Sequence, residues 1–589
     1  MEKFKKSIVD LKKNYKNVFN KYLDGFVMGE IIFPIILSLV ALCKIGRGFD
    51  ISDTGYNYGN FVYLPGLDSM WYCSTFLANM LGRLFSFMPF GHTLIGLNFY
   101  TGLVKVALVL IAYYFFRNTV KLSSSITFFA ELIAVCLCWC PTALIYNYLS
   151  YLLFFLGAMF LYKGLVDDKG KFLVIAGVCL GSNVFVRFPN ICEMALIVGL
   201  WFWCFINKCK ISEYFKKTGL CVAGYFGSAA VFMIIISMIK GFGGYVQAIR
   251  ELFSMTDEAT QYSGGGMIRG IYMAYRNTLY YQKFILAVFV LAFIIWMVGK
   301  KYKSASTGLI TLLMIGLGYL LFRVNLFTGN YQEYNSIYGL GACMMGLSIV
   351  ILIIPVFMKN VDARLKLLCV LSLIVIGITP LGTNNELYAN FNNLFLVFPV
   401  VLYLVCNIPD WKGLFGVKFA LALFICLFAY QSINFGLTFT FRDGKEMSQN
   451  TYAVNKVTDG VLTQQNKAEE ILELNKLLSD HDRSILTYGD VPGAAFYFEL
   501  TPALSSTWSS LPSFSTTKFT NEMSALVSRT SGEKLPYVAV DPNEYERLVN
   551  YTDELSAKEV ILYSFIEEYG YEPINPDSNM MIVYDVKQR

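Results

Sequence analysis

Apolar residues in this chain come in long runs rather than in alternation. From residue 27 onward, stretches of about 17–22 apolar residues recur, each long enough to cross roughly 30 Å of hydrocarbon as a helix. The pattern predicts thirteen spans, at about 27–44, 96–116, 125–142, 147–163, 172–187, 192–207, 218–239, 284–299, 305–322, 338–358, 366–380, 391–407 and 413–431. Three other segments are too long to be turns: about 45–95, about 240–283, and everything beyond 431. In the first of these, Trp71, Phe76, Leu77, Met80, Leu81, Leu84, Phe85 and Met88 recur at helical spacing, with Asn79 and Arg83 between them. That spacing predicts a helix lying flat at the membrane interface.

Beyond 431 the period changes. Ile471, Leu474, Leu477 and Leu478 share one face of an amphipathic helix over about 462–480. Strands are expected at 484–488, 536–540 and 580–586, and a further helix at 555–568. The fold class read from the pattern is a polytopic α-helical membrane protein of about thirteen transmembrane helices with a C-terminal α/β domain. The divisions are a basic segment 1–26, a membrane domain 27–431 and a soluble domain 432–589.

Composition narrows this further. Charged residues make up 15% of the chain, against roughly 25% in an average soluble protein, so four soluble globules are excluded. Residues 1–431 hold 35 Lys/Arg and 19 Asp/Glu, whereas 432–589 hold 13 and 23, so a basic body precedes an acidic tail. All 14 cysteines lie at or before Cys426, which leaves the tail without a disulfide framework. With only two histidines, His92 and His481, a zinc site or a histidine-based triad is not expected.

Orientation follows from the basic residues. The first apolar run has no small-residue cleavage site after it, and Leu42 spoils the lipoprotein-like Val40-Ala41-Leu42-Cys43, so an uncleaved first helix is expected. With the N-terminus cytoplasmic, 24 Lys/Arg fall in inner segments and ten in or near outer ones, and the alternation holds at every crossing. An odd number of spans puts the tail outside, in a protein of the bacterial plasma membrane.

Candidate chemistry concentrates on the outer face. Directly after the first helix comes Phe49-Asp50-Ile51-Ser52-Asp53-Thr54-Gly55-Tyr56-Asn57-Tyr58, with two carboxylates three residues apart at a membrane surface. Arg187, in Val186-Arg187-Phe188-Pro189-Asn190, ends a span on the same side, and Arg250, Arg269, Arg276 and Arg323 add guanidinium groups there. Pro380–Glu386 clusters Asn384, Asn385 and Glu386, which read first as an ordinary turn and otherwise as groups suited to sugar hydroxyls. Gly264-Gly265-Gly266 is no phosphate cradle, because no Gly-Lys-Ser/Thr follows, and reads as a flexible segment. Lys105 and Glu131 lie inside apolar spans, where they either pair with each other or line a polar cavity.

Taken together, the acidic motif after the first helix, the amphipathic first loop, the number of spans and the outer tail resemble the GT-C glycosyltransferases, among them protein O-mannosyltransferases and lipid A aminoarabinose transferases. Their first-loop motif is commonly Asp-Glu followed shortly by Tyr, and Asp53-Thr54-Gly55-Tyr56 is similar, with Thr54 in place of the Glu. Gly489-Asp490-Val491-Pro492-Gly493 is similar to turns in the outer tails of this class. The resemblance implies a polyprenyl-phosphate sugar donor and a glycan, lipid or protein acceptor. It implies a general base at Asp53 or Asp50 and phosphate binding by Arg187, Arg323, Arg269 and Arg276. Tyr56, Asn384, Asn385 and Glu386 would serve the sugar or the acceptor. A divalent metal stays open as a cofactor, although Thr54 in the second acidic position leans against one.

A transporter or flippase, and a glycan polymerase or ligase, are the competing readings. Carriers tend to repeat their halves and to place polar residues at mid-membrane, and neither feature stands out here. A tag after Arg589 should be reachable by membrane-impermeant reagents on intact cells, and one before Met1 should not. Protection of the C-terminal tag would require an even number of spans.

Overall fold

A computed structural model describes residues 24–586 apart from 259–263, 332, 382, 384, 408–413, 444–449, 454, 530–533 and 551–553. Most of the basic segment 1–26 therefore lies outside the described residues, as does Asn384. The described chain begins with a helix, α1 (Val27–Leu42), followed on the tail side by α2 (Asp53–Val62), α3 (Ser69–Ser74) and α4 (Phe76–Ser86). Next come α5 (Leu94–Tyr114), α6 (Ser124–Leu137), α7 (Ile145–Val166) and α8 (Gly170–Asn183). A 3₁₀ segment (Phe188–Leu196) leads into α9 (Ile197–Ile206), then α10 (Ile211–Lys240), α11 (Gly244–Glu258), α12 (Gly264–Val298) and α13 (Lys303–Arg323). The body closes with α14 (Tyr338–Phe357), α15 (Ala363–Ile378), α16 (Glu386–Asn392), α17 (Val397–Cys406) and α18 (Leu414–Thr438).

Every one of the thirteen apolar runs coincides with helix. Among the described residues eight helical stretches suffice, by length and composition, to cross a membrane, nine if the bent pair α16–α17 counts as one span. The others, such as α1, α6 and α8, are shorter. The chain is an integral membrane protein with a helical body and a C-terminal sheet domain.

Four expectations change. The acidic segment after α1 is not a loop, because Asp53 begins α2. Gly55 and Gly59, weak helix formers, hid this helix from a propensity reading. The flat interfacial helix resolves into two pieces, α3 and α4, broken at Thr75. The expected loop at 240–283 is mostly helix: α11 packs against α3, and α12 runs unbroken from Gly264 into the next span, so the triple glycine opens a helix rather than a flexible segment. The run expected at 391–407 is a helix pair bent by 75°. At the break, Asn392 Oδ1 accepts the backbone N–H groups of Trp139 (2.9 Å) and Cys140 (3.4 Å), satisfying donors at the end of α6 that would otherwise be orphaned.

The tail follows its expected outline. A two-stranded antiparallel ribbon, β1 (Asn450–Tyr452) and β2 (Leu462–Gln464), precedes α19 (Gln465–Leu477). The five-stranded sheet has the order β4-β3-β5-β7-β6, built from β3 (Ser484–Tyr488), β4 (Thr501–Pro502), β5 (Tyr537–Val540), β6 (Tyr571–Pro573) and β7 (Ile582–Val586). β3 is parallel to β4 and β5, and β7 is antiparallel to β5 and β6. The tail helices α20 (Ala494–Tyr497), α21 (Thr516–Arg529), α22 (Pro542–Asn550) and α23 (Ala557–Glu568) complete it. α21 and α22 escaped the sequence reading.

The tail is fastened to the segment behind α1. Gly48 N–H bonds Leu462 O, and Leu462 N–H bonds Gly46 O (2.9 Å each), so this segment joins the ribbon beside β2. The turn after β3 rests on α2: Gly493 N–H donates to Ile51 O (2.8 Å), and Tyr497 Oη donates to Asp50 O (2.8 Å). Gly55 and Gly493 face each other backbone to backbone. A Cβ on Gly493 would stand 2.4 Å from Ile51 O and 2.7 Å from Gly55 Cα, so close approach, not a tight turn, is what Gly55 provides. Lys518 of α21 pairs with the buried Asp68 and, at 3.6 Å, with Glu251 of α11, so tail and both tail-side helical segments meet at one ammonium.

Gly493→Ala should therefore unseat the tail, at a cost of about 1–3 kcal/mol typical of overpacking. Thermal unfolding and limited proteolysis of the purified protein check this. Gly66→Ala, where an added Cβ meets nothing within 4 Å, is the neutral control.

Candidate active site

Two carboxylates that look alike in the sequence are used differently in the fold. Asp50 is buried, and both its oxygens are occupied: Oδ1 accepts Ser52 N–H (3.1 Å) and Ser52 Oγ (2.5 Å), and Oδ2 accepts Thr54 N–H (2.7 Å). It satisfies donors at the start of α2 as a capping side chain does. Three donors on a buried carboxylate give it a structural role at the start of α2, which favours Asp53 over Asp50 as the base.

Asp53 is the first residue of α2 and keeps a partly open carboxylate. Its Oδ2 lies 3.2 Å from a guanidinium nitrogen of Arg442. Burial pushes its pKa up to about 6; Arg442 opposes the rise, and the nearby Asp50 and Asp490 add to it. This is the range in which a carboxylate can accept a proton near neutral pH and release it again.

Arg442 was not among the sequence candidates. It follows α18, with φ +51°, and its backbone carbonyl accepts from Lys467 Nζ (2.8 Å). Its guanidinium donates to Ser52 Oγ (2.5 Å) and lies 5.5 Å over the Phe441 ring. Thr440-Phe441-Arg442-Asp443 held the same signal that singled out Arg187, an arginine just past an apolar run on the disfavoured side. Asp490, in the turn after β3, is the third acid: burial raises its pKa and Arg442 lowers it. Its backbone N–H is held by Asp541 Oδ2 (2.8 Å).

Behind α2 lies a cavity of about 90 Å³ whose lining includes Lys44, Arg47, Asp50, Thr54, Lys105 and Trp139. Lys105 donates to Cys138 O (2.8 Å) and makes no pair with Glu131; Glu131 is fully buried in α6, and neither of its carboxylate oxygens has a hydrogen-bond partner. The alternative of a Lys105–Glu131 pair is thus ruled out, and Lys105 lines a polar cavity instead.

The other candidates are dispersed. Arg187 is half-buried, its guanidinium 5.7 Å from the Tyr146 ring and 3.4 Å from Asn147 Oδ1. A buried network in which Asn183 donates to Glu193 (2.5 Å) and Asn190 donates to Ser150 Oγ (2.6 Å) fixes the turn that carries it. Leu77 N–H bonds Phe185 O (2.8 Å), so this turn borders α4 on the tail side. Arg269 and Arg276 are exposed on α12, and Arg323 is exposed at the end of α13. No contact joins them to Asp53. Tyr56 does not offer a face to a sugar: it is buried, packed edge-on against Trp71 (5.8 Å) and Trp508 (5.3 Å). Asn385 is exposed before α16, and Glu386, with φ +48°, accepts from Tyr338 Oη (2.7 Å). Both sit at the start of α16, the helix whose Tyr388 and Asn392 contact Trp139.

The donor set does not fit a divalent metal. Among the described residues no three His, Cys, Asp or Glu side chains converge for ligation. Asp50 is saturated by N–H and O–H donors, and a guanidinium already stands against Asp53.

No family model and no curated protein matches this chain. Solved structures of similar shape include the oligosaccharyltransferase of Archaeoglobus fulgidus in complex with Zn and sulfate, at 11% identity, covering 94% of this chain and 72% of that one with a TM-score of 0.43. Another is the archaeal oligosaccharyltransferase AglB from Archaeoglobus fulgidus with an inhibitory peptide and a dolichol-phosphate (12% identity, 98% and 75% covered, TM-score 0.41). A third is ArnT from Cupriavidus metallidurans bound to undecaprenyl phosphate (10% identity, 95% and 98% covered, TM-score 0.42). Likenesses this distant transfer no residue roles.

Proposed function

We propose that this protein is a membrane glycosyltransferase of GT-C type that moves a sugar from a polyprenyl-phosphate donor to an acceptor hydroxyl, with Asp53 as general base. The observation that carries the reading is the Asp53 carboxylate itself. It stands where membrane body and tail meet, raised to about 6 by burial and faced by one guanidinium. An acceptor O–H would give its proton to Asp53 as the oxygen attacks the anomeric carbon. The bond from that carbon to the phosphate oxygen breaks, the lipid phosphate leaves with the electron pair, and the configuration inverts. Cations near the site, Arg442 first and Arg187 on the same face, oppose the charge that develops on the phosphate. The tail face is extracytoplasmic in this reading, and the N-terminus is cytoplasmic.

Purified enzyme should release polyprenyl phosphate from one of a panel of polyprenyl-phosphate sugars only when an acceptor is supplied. Uptake into proteoliposomes without such release would favour a carrier. Asp53→Asn retains shape but cannot take the proton, so turnover should fall by about 10²–10⁴ with thermal stability near normal. Asp50→Asn should do the reverse, lowering the melting temperature more than the turnover of the folded fraction. Equal turnover in wild type and Asp53→Asn would remove the base from this position.

The acid limb of kcat/KM gives a separate check. The base must be ionised, so the rate should rise with pH through about 6 and level off above it. Arg442 favours the ionised form, so Arg442→Gln should shift this limb to higher pH. A limb that stays in place in the variant would mean that Asp53 is not the titrating group.

A further inference from the structure

The cavity behind α2 carries a charge imbalance that the fold does not resolve. Lys44, Arg47 and Lys105 line it, and among the described residues none of the three forms an ion pair with a carboxylate. Lys44 Nζ donates to Phe439 O (2.5 Å) and Lys105 Nζ to Cys138 O (2.8 Å), one carbonyl for each ammonium. The one carboxylate in the lining, Asp50, has its oxygens filled by Ser52 and Thr54. Three cations gathered at the edge of an apolar helix bundle repel one another and cost solvation. They are readily explained by an anion that sits among them.

Depth narrows the kind of anion. Leu94, the first residue of α5, bonds through its N–H to Val457 O of the tail (2.8 Å), so the top of α5 stands in the tail layer. Lys105 lies about 16 Å further down that helix. Lys44 is just past the end of α1. The cavity therefore straddles the border between the apolar body and the tail layer, where a lipid head group would rest with its chain among the helices. Phe441 lines the same cavity and precedes Arg442, the partner of Asp53. An anion held there is next to the candidate base.

We propose that this cavity is a phosphate-monoester site in which Lys44, Arg47 and Lys105 hold the phosphate of the lipid carrier. The exposed arginines Arg269, Arg276 and Arg323 then have no part in seating it. The assignment of the lipid carrier rests on the glycosyltransferase reading; the phosphate chemistry rests on the cations alone.

The test is thermal unfolding of the full chain in nanodiscs, with and without polyprenyl phosphate in the bilayer, and in a separate arm with inorganic phosphate. Phosphate should raise the melting temperature of the wild type. A rise confined to the lipid identifies the carrier, an equal rise with the inorganic ion identifies free phosphate, and either supports the site. Lys44→Met and Lys105→Met should each weaken phosphate binding at least tenfold. They should also leave the ligand-free protein no less stable, since each removes an unpaired cation. Lys105→Arg, which retains the charge, should keep the response. If the Met variants do not fold, the ³¹P spectrum of polyprenyl phosphate with wild-type protein must still show a shift or broadening absent from empty nanodiscs.

No stabilisation in either arm, no ³¹P change, or a full response in the Lys44→Met/Lys105→Met double variant would overturn the proposal. The two readings fail separately. Lysine-dependent phosphate binding without sugar transfer from any donor leaves the site and removes the enzyme. Sugar transfer with unaltered donor KM in the double variant leaves the enzyme and removes the site.

Discussion

One buried carboxylate holds the parts of this molecule in register. Asp443 follows Arg442 on the connector between α18 and the tail, and its side chain is almost wholly enclosed. Its Oδ2 accepts Phe49 N–H (3.1 Å) from the segment behind α1, and its Oδ1 accepts Thr463 Oγ1 (2.9 Å) from β2. Lys467 of α19 pairs with Oδ1 at 3.1 Å and reaches on to the carbonyls of Phe49 and Arg442. The segment behind α1, the connector and the start of the tail thus share one charge. Each donor left without its partner in so buried a place costs about 1–3 kcal/mol. Burial raises the pKa of Asp443, with Lys467 opposing.

The geometry around Asp53 depends on that tie. Arg442 reaches Asp53 because its neighbour Asp443 is anchored and because Lys467 fixes its own carbonyl. Asp53 is positioned by α2, whose first turn is assembled by Asp50. Asp490 arrives on the turn after β3, which can settle on α2 only because Gly55 and Gly493 present no side chains to each other. Membrane body, connector and tail each supply one charged group, and none of the three sites on its own contains the arrangement.

The sequence made the helical body legible because burial in a membrane leaves no alternative to long apolar runs. Each of the thirteen runs overlaps helix, and the tail's strands 484–488 and 536–540 lie within a residue of their expected positions. The basic-residue pattern grouped Asp53 and Arg187 on one face, and in the fold both lie on the side of the tail. What was hidden has physical reasons. α2 contains two glycines in its first seven residues, so local propensity argued against a helix that tertiary contacts support. Asp50 and Asp53 are equivalent as letters, and only backbone geometry shows that one is a cap. Arg442 meets Asp53, and Lys44 meets Lys105 across one cavity, from distant segments, and both meetings are properties of helix packing that no spacing rule encodes. Tyr56 looked like a sugar platform because aromatic residues near a motif are common to both surfaces and cores; its place between Trp71 and Trp508 is a core.

The division of labour between Asp50 and Asp53 follows from where each stands on the helix they share. A carboxylate just ahead of a helix start can reach back to free N–H groups, as Asp50 does to Ser52 and Thr54. A carboxylate on the first residue of the helix cannot fold onto the same donors, so it projects to the side and meets what the tertiary fold supplies. Here the fold supplies burial and one guanidinium. Burial raises the pKa, the guanidinium limits the rise, and the balance falls near neutrality, where proton transfer is easiest in both directions. Had a third carboxylate taken the position of Thr54, the site would have carried more negative charge than one guanidinium offsets. Thr54 instead gives its N–H to Asp50 and lines the cavity, and the counter-charge of Asp53 is an arginine of the chain itself.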